Sequence, residues 1–290
     1  MPPGHSPLFR RRRLGEELRE LREGKGFKLQ QLAGELGWSH TKLSRLENAK
    51  VRPDVADVMD LLEALGAAPE QERRLITLAR QANQRGWWRA FADMPQRQAG
   101  YAELESGTVA IREYSLTFVP GLLQTAGYIQ TRFTDRDAVR DFDVETAVAG
   151  RLERQRILGQ GAPVRYDVIL DEAVLRRQTA PDDIWYHQIS HLVTVAKQEN
   201  VTVRVLRFDA SVEYSSAALN SFAIYQLDDA EDEVRVSVET ETSDIQLGDA
   251  EDVARYTVMW QRLERATMTT DQSASFLVEL AATIDREGSR

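Results

Sequence analysis

Five of the six residues from His40 to Arg45 are polar, and none of them is acidic. On one turn-and-a-half of helix, His40, Thr41, Lys42, Ser44 and Arg45 would offer hydrogen-bond donors fitted to base edges and phosphates. An arginine can reach guanine O6 and N7 together, the commonest base-specific contact, worth about 1–3 kcal/mol of discrimination. Catalytic alternatives are thinner. The chain has no cysteine, which excludes a thiol nucleophile, a disulfide framework and cysteine-ligated zinc or iron–sulfur sites. His187 and His191 stand four apart, but Gln188 follows the first, so the zinc-protease pattern with its general-base Glu is missing. Asp171 and Glu172 follow a strand end, yet neighbours there point apart, and Glu172 with Arg176 reads as an ion pair on a helix surface. Gly159-Gln160-Gly161 is a turn, too short to cradle phosphate. With no Walker motif and no dinucleotide fingerprint, the expectation is a protein that is not an enzyme and has neither cofactor nor metal.

The elements that would position these donors are short helices. Residues 1–9 are Pro-rich and predict a disordered terminus. Leu14, Leu18 and Leu21 recur at helical spacing up to Gly24-Lys25-Gly26. Leu29, Leu32, Ala33 and Leu36 give a second helix ended by Gly37. Ser39 is placed to cap a third, with Leu43 and Leu46 on its buried side and Asn48 as its left-handed stop. Asp54 starts a fourth helix carrying Val55, Val58, Leu61, Leu62 and Leu65, and Pro69–Gln84 is a fifth. Gly37 supplies the positive φ of a tight interhelical turn, and Ala33 leaves room where the two helices cross. Two short helices meeting this way form a helix-turn-helix, whose second helix enters the DNA major groove.

Beyond Gly86 the pattern changes. Trp87, Trp88, Phe91 and Tyr101 concentrate aromatic residues, read as an interface core in preference to a small-molecule pocket. Thr117–Gly121 leads into a helix over Gln124–Phe133. Val144–Leu158 predicts a helix with Arg151, Arg154 and Arg156 on solvated sides. Strands are expected at Val164–Leu170, Val201–Phe208, Phe222–Leu227 and Val234–Val238, and helices at Asp182–Glu199, Ala250–Ala266 and Gln272–Ile284. The expected fold class is an N-terminal all-α helix-turn-helix domain followed by a larger α+β domain with a mixed sheet. The boundaries are a disordered 1–9, a DNA-binding domain over 10–85 and a regulatory and dimerisation domain over 86–290.

Charge follows the same division. The formal net charge is −9, but residues 1–52 carry 12 Lys/Arg against 6 Glu, a surplus of +6, and the remainder carries −15. A basic end on an acidic body points to a nucleic-acid partner that the average conceals. No segment reaches 18 consecutive apolar residues and no apolar leader opens the chain, so no membrane partner is expected and the compartment is cytoplasmic, with the protein on the nucleoid.

Residues 14–65 resemble the Xre/lambda-repressor-type helix-turn-helix family, with Leu32-Ala33, Gly37 and Ser44-Arg45-Leu46-Glu47-Asn48 in motif positions. Family members usually carry Gly where this chain has Ala49. The resemblance implies His40, Thr41, Lys42 and Arg45 as base-reading residues and Gln30, Lys50 and Arg52 as phosphate contacts. Residues 86–284, through Trp87-Trp88, Val119–Thr125, Arg151–Gln155, Leu170–Leu175 and Val201-Thr202-Val203, resemble the C-terminal domain of actinomycete WhiJ-like, antitoxin-like regulators. That likeness implies developmental or secondary-metabolism control, a homodimer on a palindromic operator, and a small acidic partner protein encoded nearby. The alternative is a C-terminal domain that senses or turns over a small molecule.

Overall fold

The computed structural model describes residues 7–83, 87–91, 94–136, 143–159, 164–212, 218–227 and 234–288. The chain divides into two compact units between Arg89 and Ala90. Among the described residues no helix is long and apolar enough to cross a membrane.

The first unit contains helices α1 (Pro7–Gly24), α2 (Leu29–Glu35), α3 (His40–Glu47), α4 (Val55–Ala64) and α5 (Pro69–Ala82). Leucines at three- and four-residue spacing, among them Leu14, Leu18, Leu32, Leu43, Leu61, Leu62 and Leu75, meet in one core. The helix α1 begins at Pro7, so the last three residues of the terminus expected to be disordered over 1–9 are helical; Pro at the first turn has no N–H to lose. Residues 1–6 of that segment lie outside the described residues.

The second unit is built on a six-stranded mixed sheet with helices on its faces. Its helices are α6 (Gln96–Glu105), α7 (Ala126–Arg136), α8 (Val144–Gln155), α9 (Glu172–Arg176), α10 (Asp182–Val195), α11 (Ala250–Ala266) and α12 (Thr270–Gly288). Strands β1 (Thr108–Ser115), β2 (Arg165–Asp171), β3 (Val201–Leu206), β4 (Phe222–Leu227), β5 (Val234–Glu239) and β6 (Asp244–Leu247) lie in the order β3-β2-β1-β4-β5-β6. The first three pair in parallel and the last three join antiparallel. This is the expected α+β class, with two strands, β1 and β6, that hydrophobic patterning does not reveal.

The two faces of the sheet differ. Tyr114, Ile169, Phe222, Ile224, Val236 and Val238 form an apolar face packed against Trp260 and Leu263 of α11. Alternation places Glu113, Tyr166, Tyr225, Ser237 and Glu239 on the opposite face. There a polar layer takes the place of a greasy one.

Candidate nucleic-acid interface and a buried polar layer

The turn between α2 and α3 is closed by Gly37 at φ 65°. Trp38 N–H donates to Ala33 C=O at 2.8 Å and Gly37 N–H to Gly34 C=O at 3.1 Å, the paired bonds of a left-handed helix stop. Ser39 Oγ accepts from Lys42 N–H at 3.1 Å and caps α3. Ala33 is buried, as a crossing residue should be. The opposite end of α3 departs from expectation. Asn48 has φ −95°, and the left-handed conformation falls one residue later, on Ala49 at φ 55°. Lys50 N–H donates to Arg45 C=O at 2.8 Å, so the stop has the same form as the one at Gly37. Asn48 instead turns its side chain back, donating from Nδ2 to Ser44 C=O at 2.7 Å.

His40, Thr41 and Arg45 are exposed on α3, and Gln30 and Lys50 are exposed beside it. Arg52 is half-buried. Lys42 is exposed but engaged: its ammonium lies 2.6 Å from Asp57 and 4.1 Å from the centre of the Trp38 ring. Base contact by Lys42 therefore requires that pair to open.

Glu47 is not part of the polar surface. It is 2% exposed and takes both forks of Arg22, at 2.7 and 3.0 Å. Arg22 also donates to Phe27 C=O at 2.9 Å and to Glu23, and the hydrogen bond to Glu47 raises its pKa above the ordinary arginine value. Arg19 reaches across to Asn48 Oδ1 at 2.8 Å. A Cβ on Gly15 would collide with the Glu47 carbonyl, so α1 lies backbone against backbone on the end of α3. Arg22 and Gly15 are the positioning residues that motif reading missed; their signal is a glycine and a small charged pair inside an otherwise leucine-patterned helix.

In the second unit, Arg154 is not solvated. It is 5% exposed and forks onto Glu105, itself 3% exposed, with Nε–Oε2 at 2.8 Å. Arg151 is half-buried and donates to Gln124 Oε1 at 2.6 Å, while Arg156 alone of the three is exposed, paired with Glu153. The reason is the polar sheet face beneath α6 and α8. Tyr166 Oη donates to Glu113 at 2.5 Å, Tyr101 Oη donates to Glu239 at 3.2 Å, and Arg97 forks onto Asp244. Burial, then the nearby Glu239 charge, push the Glu113 carboxyl up to about 8. Burial, then the Arg154 and Arg132 charges, pull Arg151 down to about 9. Tyr166 and Tyr225 are raised well above the usual phenol by burial.

The two segments Val119–Thr125 and Arg151–Gln155 dock on each other. Gln155 Nε2 donates to Gly121 C=O and Gln124 C=O at 2.9 and 2.8 Å. Gln188 Nε2 donates to Leu123 C=O, and its Oε1 accepts from Thr125 N–H, both at 2.8 Å. Gln188 is thus a fully satisfied core glutamine between two histidines, of which His187 is exposed and His191 is depressed in pKa by burial. Glu172 is buried and holds the start of the β3–β4 connection, accepting from Phe208 N–H at 3.0 Å while meeting exposed Arg176 at 3.0 Å. Its expected placement on the surface is corrected accordingly. Asp171 caps α9 through Ala173 N–H. Trp88 is buried; the Trp87 side chain and Gly161 lie outside the described residues.

An exposed, capped second helix with no carboxylate on its outward face, held behind a glycine turn, defines a DNA-binding helix-turn-helix domain. Family comparison agrees: residues 13–76 match the helix-turn-helix domain, and residues 98–279 match the Domain of unknown function (DUF5753). The second match spans more than half of the chain, which belongs to that family. No curated protein and no solved structure matches it.

Proposed function

We propose that this protein is a sequence-specific transcriptional regulator of the Xre/lambda-repressor type, with a WhiJ-like, antitoxin-like C-terminal domain and no enzymatic activity. The observation that carries the reading is the exposure of His40, Thr41 and Arg45 on a helix whose inner face is locked by Leu43, Leu46 and Glu47. In this reading those three residues read bases, with Lys42 joining once Asp57 releases it. Gln30, Lys50 and Arg52 hold phosphates. The second unit dimerises, placing two recognition helices about one helical turn, roughly 34 Å, apart on a palindromic operator. It also receives a small acidic partner protein that sets operator affinity, in developmental or secondary-metabolism control in the cytoplasm.

In-vitro selection of duplex DNA by the full-length protein tests this. A palindromic consensus is expected, and Arg45→Ala should relax it at one base pair per half-site, losing about 1–3 kcal/mol of discrimination. Lys50→Ala should weaken all sequences alike and lower the slope of log affinity against log salt by about one unit. An unchanged consensus in Arg45→Ala would overturn the assigned register of α3.

A further inference from the structure

The polar layer of the second unit is more than a structural network, and its glutamines show why. Gln124 and Gln188 are buried with both ends of the amide satisfied: Gln124 donates to Val119 C=O at 2.6 Å and accepts from Arg151. Gln98 is 3% exposed, yet neither its Nε2 nor its Oε1 has a protein partner. It lies on α6 at three- and seven-residue spacing from Tyr101 and Glu105, and so on the face that meets the layer. Arg151 repeats the pattern: its Nε is buried without a partner, and among the described residues its one hydrogen bond goes to an amide oxygen rather than to a carboxylate. The neighbouring cations are matched, Arg154 by Glu105 and Arg97 by Asp244. Glu113, Tyr101 and Arg151 retain accessible surface although protein surrounds them, as walls of an interior space do. The Phe133 ring, 4.9 Å from the Arg151 guanidinium carbon, and the half-buried Tyr101 ring give that space aromatic walls.

A domain gains little from such an arrangement in itself. Buried polar groups left without partners are destabilising, and natural cores leave few of them. Perturbed titratable groups gathered beside unpaired buried atoms are instead the mark of a binding site.

We infer that the space between α6, α8 and the polar sheet face is a binding site for a small aromatic organic anion, whose carboxylate or phosphate is taken bidentately by Arg151 and hydrogen-bonded by Gln98. The guanidinium fork suits either anion. Tyr101 and Phe133 supply walls for the ring. This inference concerns the second unit alone and stands or falls independently of the DNA reading.

Binding is measured on the full-length protein by calorimetry and thermal shift, with benzoate, salicylate and phenyl phosphate as probes and benzyl alcohol as the neutral control. A probe at roughly 100 times its Kd favours the folded state by about 100-fold, a readily detected rise in melting temperature. Benzoate and salicylate binding identifies a carboxylate site, and preference for phenyl phosphate identifies a phosphate site. Arg151→Lys keeps the charge and loses the fork, so affinity should fall by about tenfold or more while the unliganded melting temperature holds. Gln98→Leu should raise the unliganded melting temperature and abolish the probe's effect. Three results would overturn the proposal: no anionic probe binds, the neutral control binds as well as the anions, or Gln98→Leu lowers stability and leaves probe affinity unchanged. The last would make Gln98 a structural amide bridged by water.

Discussion

Among the described residues each unit buries one arginine–glutamate pair, and the two pairs are set in opposite surroundings. Arg22–Glu47 is closed: the remaining donors of Arg22 go to Phe27 C=O and Glu23, and nothing polar beside it is left waiting. Arg154–Glu105 is just as tight but stands next to Arg151, whose Nε is buried without a partner, and Gln98, whose amide is unpaired at both ends. A closed pair holds geometry for a surface elsewhere, here the outward face of α3. A pair that borders unsatisfied groups lines an interior where something is to be recognised. The contrast separates scaffold from site by the same criterion, the completeness of the hydrogen bonding.

The largest effects should come from breaking the closed pair on one side only. Arg22→Ala leaves the Glu47 carboxyl in the core without its forked partner, and Glu47→Ala strands Arg22; each should cost about 3–5 kcal/mol in urea unfolding. Replacing both, as Arg22→Met with Glu47→Leu, should recover most of that loss, because an apolar pair of similar volume carries no desolvation penalty. If the double variant is as unstable as either single one, the pair is irreplaceable for a reason other than charge burial, and the scaffold half of the comparison fails.

The open layer should reveal itself through pH. The folded pKa of Glu113 is raised from 4.5 to about 8, chiefly by burial and then by Glu239, against the opposing hydrogen bond from Tyr166 and the charge of Arg154. A raised folded pKa means that the folded state binds the proton more tightly than the unfolded chain does. The contribution is therefore complete below about pH 4.5 and is lost as pH rises through about 8, with a slope of at most about 1.4 kcal/mol per pH unit. Glu113→Gln should remove that part of the slope. Chemical denaturation of the wild type and the variant between pH 5 and about 8 decides it; identical slopes would mean that Glu113 is ionised throughout and that the layer is hydrated like a surface.

What the sequence made legible, and what it did not, follows from the same contrast. The first unit was readable almost helix by helix because its inner face is leucine and its turns carry glycine, so period and punctuation agree. Parallel strand β2 and strands β4 and β5 were readable for the same reason, as apolar runs such as Val168-Ile169-Leu170. Strand β1, in the middle of the sheet, was not, because Arg112-Glu113 interrupts it and the face toward α6 holds a carboxylate where a core strand would hold valine. Arg151 and Arg154 look like solvated helix residues until a tertiary partner, Glu105 from far along the chain, is known. Hydrophobic periodicity finds cores; it is blind to a buried polar layer. The side chains proposed to face DNA follow from their motif positions, and the structure adds that Lys42 is tied to Asp57 and that Glu47 faces inward.

The smallest effect concerns a single residue at the end of α3. Gly26, Gly37 and Gly66 each end a helix in the left-handed conformation, and each is followed by an N–H that reaches back across the last turn: Phe27 to Arg22, Trp38 to Ala33, and Ala67 to Leu62. Ala49 holds the corresponding place, with Lys50 N–H on Arg45 C=O. Its Cβ crowds the carbonyl oxygen there, a strain of roughly 1–2 kcal/mol that glycine lacks. Glycine in turn loses more backbone freedom on folding, which returns up to about 1 kcal/mol of that gain. Ala49→Gly should therefore stabilise the protein by about 0.5–1 kcal/mol, and Gly37→Ala, the mirror exchange, should destabilise it by a similar amount or more. If Ala49→Gly destabilises instead, the left-handed stop is not the conformation of this turn in solution, and Asn48 ends α3 by itself.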